Sequence, residues 1–551
     1  LGRVLGEDGR PLVNATVFAF TLSAGGTPAG DTTDADGRFE VKNLRPGAYN
    51  VQVSVPGYVV VPQAGAEFGT TRYYRVGETA NITMVRGGVI TGTVTNASGD
   101  AVIAASVRAV RVRKATERQA SNFGFSTLRL TDDRGVYRLY GLEPGVYVIA
   151  TGGSGQSYNV VNAYDGDSPT YYPSATRDTA AELNIHAGEE LTGIDVRYRG
   201  ERGHTVSGIV TGNTGDGSSN FSGVSITLSQ AASGTMESFT FINGQASDHS
   251  FALNGIADGD YILMAVRGVG NTIEALMGSR KVSVRGGDVT GLELKLESLG
   301  SLSGNVILEP PPKAECKGQR GSSVEELVIT ARSETKAKAE DYALPLFFRR
   351  IPAAPNERGE FKLLNLRGGS QRLDVQLPGD DWYVRSIALP VAAGANTKSA
   401  MPGKTLMPGA FNLKAGERLS GVTVTIGQGA ASLRGRVATA TEGAPLPAGL
   451  RVHLVPVEPE RAAEALRYME ATVEADGQFA VGSIAPGRYW IIARKAAAPE
   501  SESDERREVA WTGAERDKLR REAESGGVKI DLQPCQRLAD YVLNYGPTPP
   551  K

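Results

Sequence analysis

The chain has 551 residues, and a single hydrophobic core stops growing near about 250–300 residues, so several domains are expected. Apolar residues make up 40% and charged residues 22%, the balance of a folded chain rather than a disordered one. A formal charge of −2 offers no field for nucleic acid or an anionic membrane. No apolar run nears the roughly 20 residues of a membrane span. Two cysteines exclude a disulfide-dense scaffold and any four-cysteine zinc site.

Leu1-Gly2-Arg3-Val4 reads as a strand already under way, entering a turn at Glu7-Asp8-Gly9, so a processed or longer N-terminus is expected. Gly2-x-Val4 opens the first of five copies of one pattern; the others open at Gly92-Val94, Gly208-Val210, Gly304-Val306 and Gly435-Val437. In each an aromatic residue is followed eight positions later by glycine: Phe39/Gly47, Tyr137/Gly145, Phe251/Gly259, Phe361/Gly369 and Phe479/Gly487. Four copies place a tyrosine two residues further on, at Tyr49, Tyr147, Tyr261 and Tyr489, with Gln371 standing there in the fourth.

The fullest versions, Asp36-Gly37-Arg38-Phe39 … Pro46-Gly47-Ala48-Tyr49 and Asp476-Gly477-Gln478-Phe479 … Pro486-Gly487-Arg488-Tyr489, predict a turn, a short strand, a corner and a return strand. Asp-Gly suits a turn that needs a left-handed residue, and Pro-Gly suits the centre of a type II turn. The tyrosine occupies the place of a tyrosine corner, whose hydroxyl bonds upstream backbone. Alternating strands close the copies at Ile82-Met84, Ile194-Val196-Tyr198, Leu292-Leu294-Leu296, Val422-Val424-Ile426 and Val528-Ile530-Leu532. A period of two means one wet and one buried face, as in antiparallel sandwiches. Five units follow, with expected boundaries 1–86, 87–200, 201–298, 299–428 and 429–551. Short linkers predict a stiff or gently curved rod of about 150–200 Å if the domains stack end to end.

The fourth copy carries a long excursion from Pro310-Pro311-Pro312 to Arg349-Arg350. In the fifth, Thr512 and Glu515 form a capping box ahead of a predicted helix with a stop at Gly526, and Glu458 to Glu470 reads as a second helix. Loops of this kind carry specificity on a common scaffold.

Gly-x-Val, Asp-x-Asp-Gly-x-Phe and Leu-x-Pro-Gly-x-Tyr together resemble the carboxypeptidase regulatory-like domain, a member of the transthyretin-like and carbohydrate-binding-like sandwiches. The third copy departs from the pattern at His249 and Asp258, and the fourth lacks the proline and tyrosine. The resemblance implies an all-β fold: five tandem immunoglobulin-like or transthyretin-like Greek-key sandwiches in an elongated array, with small helical inserts in the last. It also implies a bacterial secreted or envelope protein, and says little of function, because this is a scaffold family.

Candidate chemistry is sparse. His186-Ala187-Gly188-Glu189 matches half a metallocarboxypeptidase zinc motif. The repeats align it with Arg75-Val76-Gly77-Glu78, Arg285-Gly286-Gly287-Asp288 and Lys414-Ala415-Gly416-Glu417, so a basic residue at a turn is expected. Asp34-Ala35-Asp36-Gly37 opens like a calcium loop, but the twelfth position is Arg45 and the flanks are strands. No lysine lies on the Gly-x-Val strands for an isopeptide cross-link, and four scattered histidines support no Ser-His-Asp triad.

Aromatic candidates for a sugar platform are Trp490, placed opposite the corner tyrosine and expected to be exposed, and Trp511, with Trp382 and the pairs Tyr73-Tyr74 and Tyr171-Tyr172 reading more as packing. Cys316 and Cys535 are the disulfide candidates, brought together if the segment from Cys535 to Tyr545 folds back onto the fourth copy. No catalytic, cofactor or metal residue is expected. The sequence points to a non-catalytic structural or adhesive rod outside the cell or in its envelope, with a protein or polysaccharide partner at the surface, no nucleic acid, and homo-oligomeric or end-to-end assembly as an option. The alternatives are a carbohydrate-binding multi-module protein and the accessory portion of a larger receptor or peptidase.

Overall fold

The computed structural model describes residues 1–23, 26–60, 72–112, 128–153, 163–212, 223–242, 249–268, 274–310, 316, 322–333, 352–389, 409–439, 446–495 and 513–545. They form five β-sandwiches in chain order, each with its own apolar core. In every sandwich the opening strand lies between two neighbours. In the first, Gly2–Gly6 pairs antiparallel with Arg38–Phe39 and parallel with the closing strand Ala80–Arg86. The same arrangement recurs around Gly88–Thr95, His204–Gly212, Gly300–Leu308 and Ala431–Thr439. In the third, the pairing of Leu276–Val284 with Val289–Ser298 joins both layers into one seven-stranded sheet.

This geometry explains the opening glycines. Each faces the motif aromatic across the ladder: Gly2↔Phe39, Gly92↔Tyr137, Gly208↔Phe251, Gly304↔Phe361 and Gly435↔Phe479. A Cβ at any of the five would collide with a carbonyl of the parallel closing strand. The valine two residues on donates its N–H to the carbonyl of the turn residue, Gly37, Gly135, His249, Gly359 or Gly477, at 2.8–3.0 Å. That turn residue is left-handed in every copy, with φ between 73 and 86° for the glycines and 52° for His249. His249 therefore takes on a backbone conformation that glycine adopts without steric cost.

A second left-handed residue sits four positions before the corner glycine, Asn43, Gly141, Gly255, Asn365 and Ser483, and in the last four sandwiches it lies at a β-bulge. The corner itself differs from the expected type II turn. Gly47, Gly145 and Gly487 have φ of 157, 154 and 150°, far from the roughly +80° such a turn requires.

Three further expectations are corrected in the fifth sandwich. Val528–Leu532 pairs with Gly487–Lys495 in the second sheet, and the closing strand is Arg537–Tyr545, parallel to Ala431–Thr439. The segment after Cys535 is thus part of its own sandwich, with Leu538, Tyr541 and Tyr545 packed against that core rather than docked on the fourth. Residues 458–470 hold two single 3₁₀ turns, Pro459–Arg461 and Ala465–Arg467, followed by a strand from Met469. The sequence there is helical in composition, but the edge pairing of Met469–Thr472 with Leu450–Pro456 satisfies its backbone instead. The helix Gly513–Gly526 is present, and Thr512 lies outside the described residues.

Neighbouring sandwiches abut. Gly87 alone separates the strands of the first and second, and Leu299 alone those of the third and fourth. Between the second and third, Glu237 lies between the guanidinium groups of Arg108 (3.7 Å) and Arg177 (3.5 Å). Between the third and fourth, Asn365 Oδ1 accepts from the Ala275 N–H at 2.7 Å, and Glu274 bonds Lys362 and Arg418. Arg75 of the first sandwich donates to the Glu326 and Leu377 carbonyls of the fourth, at 3.4 and 3.2 Å. A straight end-to-end stack could not bring those residues together, so the array bends back on itself.

Candidate functional site: the repeated corner and the turns around it

The corner is the most regular polar feature of the molecule. Tyr49, Tyr147, Tyr261 and Tyr489 each donate a hydroxyl hydrogen bond to the carbonyl four residues back, Arg45, Glu143, Ala257 and Ala485, at 2.6–2.9 Å. In the fourth sandwich Gln371 Nε2 makes the equivalent bond to Arg367 O at 3.1 Å. The rings are buried, so burial pushes the hydroxyls of Tyr49, Tyr261 and Tyr489 above their ordinary pKa and keeps them protonated donors. Tyr137, alone among the motif aromatics in having a hydroxyl, donates it to Ile194 O at 2.5 Å, the carbonyl for which Gly92 leaves room.

The half zinc motif resolves into a turn. Glu189 Oε2 accepts from the backbone N–H of His186 and meets its Nδ1, both at 2.7 Å, which holds the Glu189 carboxyl below its usual range. Glu78 caps the Arg75 N–H (3.1 Å) and Glu417 the Lys414 N–H (2.7 Å) in the same way. Gln536 caps the Gln533 N–H at 2.7 Å in the fifth sandwich. Among the described residues no group of three His, Cys, Asp or Glu side chains converges as a metal site.

The calcium-like loop is also a turn. Asp34 Oδ1 accepts the N–H groups of Asp36 and Arg38 at 2.9 and 2.8 Å, and Asp132 and Asn356 do the same in the second and fourth sandwiches. An asparagine in this role carries no charge for a cation, so the position is chosen for its acceptor oxygen.

The aromatic candidates fare differently. Trp490 is 5% exposed, which corrects the expectation of an exposed ring: it packs with Val455, Tyr468, Leu519 and Ala523 under the helix Gly513–Gly526, and the Arg520 guanidinium lies 5.0 Å from its centroid. Trp511 lies outside the described residues. Trp382 fills the fourth core, Tyr171 is buried with Val148 and Ala150, and Tyr74 is core while Tyr73 faces outward.

Cys316 and Cys535 are joined in a disulfide between the fourth and fifth sandwiches, Cα to Cα 5.1 Å. Cys535 has φ 62° and stands in the turn where the first, second and fourth sandwiches have left-handed Gly77, Gly188 and Gly416. The aligned quartet Gln533-Pro534-Cys535-Gln536 is the signal that sequence reading missed, because the turn there has neither the glycine nor the basic residue.

The carboxypeptidase regulatory-like domain model matches residues 1–83. The first sandwich is similar to a carboxypeptidase regulatory-like domain. The other four repeat its glycine-aromatic pairing and its corner bond, so one structural plan runs through the described chain. No curated protein matches the sequence. Among solved structures, the chain is similar to the Bacillus anthracis TIE protein at 10% identity, covering 84% of this chain and 74% of that one, with a TM-score of 0.16. A Streptococcal ancillary pilin gives 10% identity, 63% and 100% coverage and a TM-score of 0.16. Two B repeat units of the Staphylococcus aureus collagen binding protein give 9% identity, 75% and 94% coverage and a TM-score of 0.16. Scores of this size mean that the whole-chain arrangements do not superpose.

Proposed function

We propose that the chain is a non-catalytic scaffold of an exported protein, a tandem array of regulatory-like domains that spaces and presents adhesive loops to a protein or polymer partner. The observation that carries this reading is the use made of its polar motifs. The side chains that could have been a zinc half-site or a calcium loop are committed to backbone N–H groups, in turns that other sandwiches build with glutamine or asparagine. Export is supported by the pairing of Cys316 with Cys535, since disulfides persist in oxidising compartments. Among the described residues no helix is long and apolar enough to cross a membrane.

The loops that differ between sandwiches are where partner recognition belongs on such a scaffold. Protease treatment of intact source cells tests the location: the chain is released or cleaved without lysis, whereas full protection until lysis contradicts export. Adding zinc leaves the melting temperature unchanged and produces no hydrolysis of C-terminal amino acids from peptides. Stoichiometric zinc lost in His186→Ala would overturn the non-catalytic reading.

A further inference from the structure

The joint between the second and third sandwiches buries more positive than negative charge. Arg108 stands on the strand Ser106–Arg111, where the register sets it in one row with Ala150 and Tyr171 on the outer face of the second sheet. That face is covered: Val110, Val148, Ala150 and Tyr171 are buried together, and Arg108 is itself only 5% exposed. Glu237 enters from the third sandwich with its side chain 9% exposed. Arg177, in the 3₁₀ turn Arg177–Thr179 of the second sandwich, meets the same carboxylate and is mostly buried.

One carboxylate does not satisfy these two guanidinium groups. Glu237 Oε1 already accepts from Gln230 Nε2 at 2.6 Å, while Arg108 Nη2 and Arg177 Nη1 stand off at 3.7 and 3.5 Å. Both nitrogens are shielded from water and make no hydrogen bond among the described residues. The same holds for the Ser106 hydroxyl, two residues before Arg108 on the same face. The remaining bonds of the two arginines go to neutral groups, from Arg108 to Gly152 O at 3.0 Å and from Arg177 to the Thr235 hydroxyl at 3.5 Å. Tyr171 supplies no charge, because burial, and then the Glu237 carboxylate, push its hydroxyl up to about 12. Asp258 is turned to solvent and pairs with His204 at 3.3 Å. The cluster therefore holds one net positive charge and three unused donors.

A buried charge is costly unless paired, and an unused buried donor forfeits the hydrogen bond it made in water. A water molecule would meet the donors and leave the charge. A monovalent anion meets both. Sulfate would overshoot, placing a second negative charge beside Glu237, and it needs room that a joint this closed does not offer. Chloride is small and spherical and accepts N–H groups from any direction, which suits donors carried by separate elements.

We propose that the joint between the second and third sandwiches binds chloride at the guanidinium groups of Arg108 and Arg177, and that the ion fastens the two domains together. Chloride NMR line broadening with the full chain tests it, titrated at constant ionic strength with gluconate as the replacement anion. Saturable excess broadening is expected in the parent, with affinity roughly tenfold or more weaker in Arg108→Gln, which loses a charged hydrogen bond. Glu237→Gln removes the competing carboxylate and should tighten binding roughly threefold or more, a gain that misfolding cannot produce.

Calorimetry should show the second and third sandwiches melting higher in chloride than in gluconate, because a ligand that binds only the folded state stabilises it. Equal broadening in the parent and Arg108→Gln, unchanged or weaker binding in Glu237→Gln, or melting indifferent to the anion overturns the proposal. The ion is held whether or not the chain is exported, so none of these outcomes bears on the scaffold reading.

Discussion

The first and fifth sandwiches share one interior and differ in what lies outside it. Inside, both pair an opening glycine with a phenylalanine, Gly2 with Phe39 and Gly435 with Phe479, and both bond a corner tyrosine to the carbonyl four residues back. Outside, the first exposes Phe18, whereas the fifth hides Trp490 beneath a helix that supplies Leu519 and Ala523. Strand alternation reports which residues face the core. Whether the opposite face meets water or an insert depends on chain hundreds of atoms away, to which alternation is blind. An aromatic residue on such a face is a ligand platform only where nothing of the protein has already taken it.

The largest effect is expected at the shared interior. Removing a buried aromatic costs about 3–5 kcal/mol, enough to unfold a small domain, so Tyr489→Ala should melt the fifth sandwich while the first persists. Calorimetry resolving separate transitions checks this, and an unchanged melting profile would mean that the corner bond is incidental. Tyr489→Phe, which keeps the ring and removes the bond, should cost about 0.5–1.5 kcal/mol.

Next in size is the disulfide, which the first sandwich lacks altogether. Cys316→Ser should lower the stability of the fourth and fifth sandwiches by about 2–4 kcal/mol and leave the first three unchanged. Denatured, unreduced parent protein should titrate no free thiol, and two thiols per chain would refute the bond.

A smaller contrast comes from pH. The fifth sandwich buries His453 between Arg451 and Arg494, with Glu470 3.6 Å away but already paired with Arg451. Burial, and then the two guanidinium groups, push the His453 pKa down to about 3. Unfolded histidine titrates near 6.5, so the unfolded chain takes up a proton that the fold refuses. Stability is therefore full above about pH 6.5 and is lost as the pH falls toward 3, by about 2–3 kcal/mol at pH 4.5. The first sandwich has no histidine. Chemical denaturation at pH 7.5 and 4.5 should show this loss in the fifth sandwich and its reduction in His453→Gln. The least effect belongs to Phe18→Ala, whose ring is 42% exposed on the outer face of the first sandwich, within about 0.5 kcal/mol of the parent.

The five interiors were legible because their geometry demands particular residues. Glycine is required where a closing-strand carbonyl leaves no room for a Cβ, and a left-handed residue is required at each turn. Legibility failed where the fold tolerates substitutes. In the fifth sandwich Cys535 and Asp540 adopt left-handed backbone, φ 62 and 57°. The register gives Asp540 the place that Gly193, Gly291 and Gly421 hold in the three preceding sandwiches. The true closing strand therefore lost its glycine signature, and Val528–Leu532 was the better alternation.

The bend that joins Arg75 to Glu326 and Leu377 was hidden for another reason: those acceptors are backbone carbonyls, which carry no sequence signal. The outer faces were hidden because inserts such as the helix Gly513–Gly526 carry no repeat.

Stretching single molecules from their two ends tests the scaffold account most directly, because it counts independent domains and reads the cross-link at once. In the oxidised chain force bypasses the 219 residues between the cysteines, so three full-length unfolding steps from the first three sandwiches are expected, with little length from the last two. Reduction should raise the count to five and release roughly 720–790 Å of further contour. A single cooperative step, or the same count and contour before and after reduction, would contradict the account.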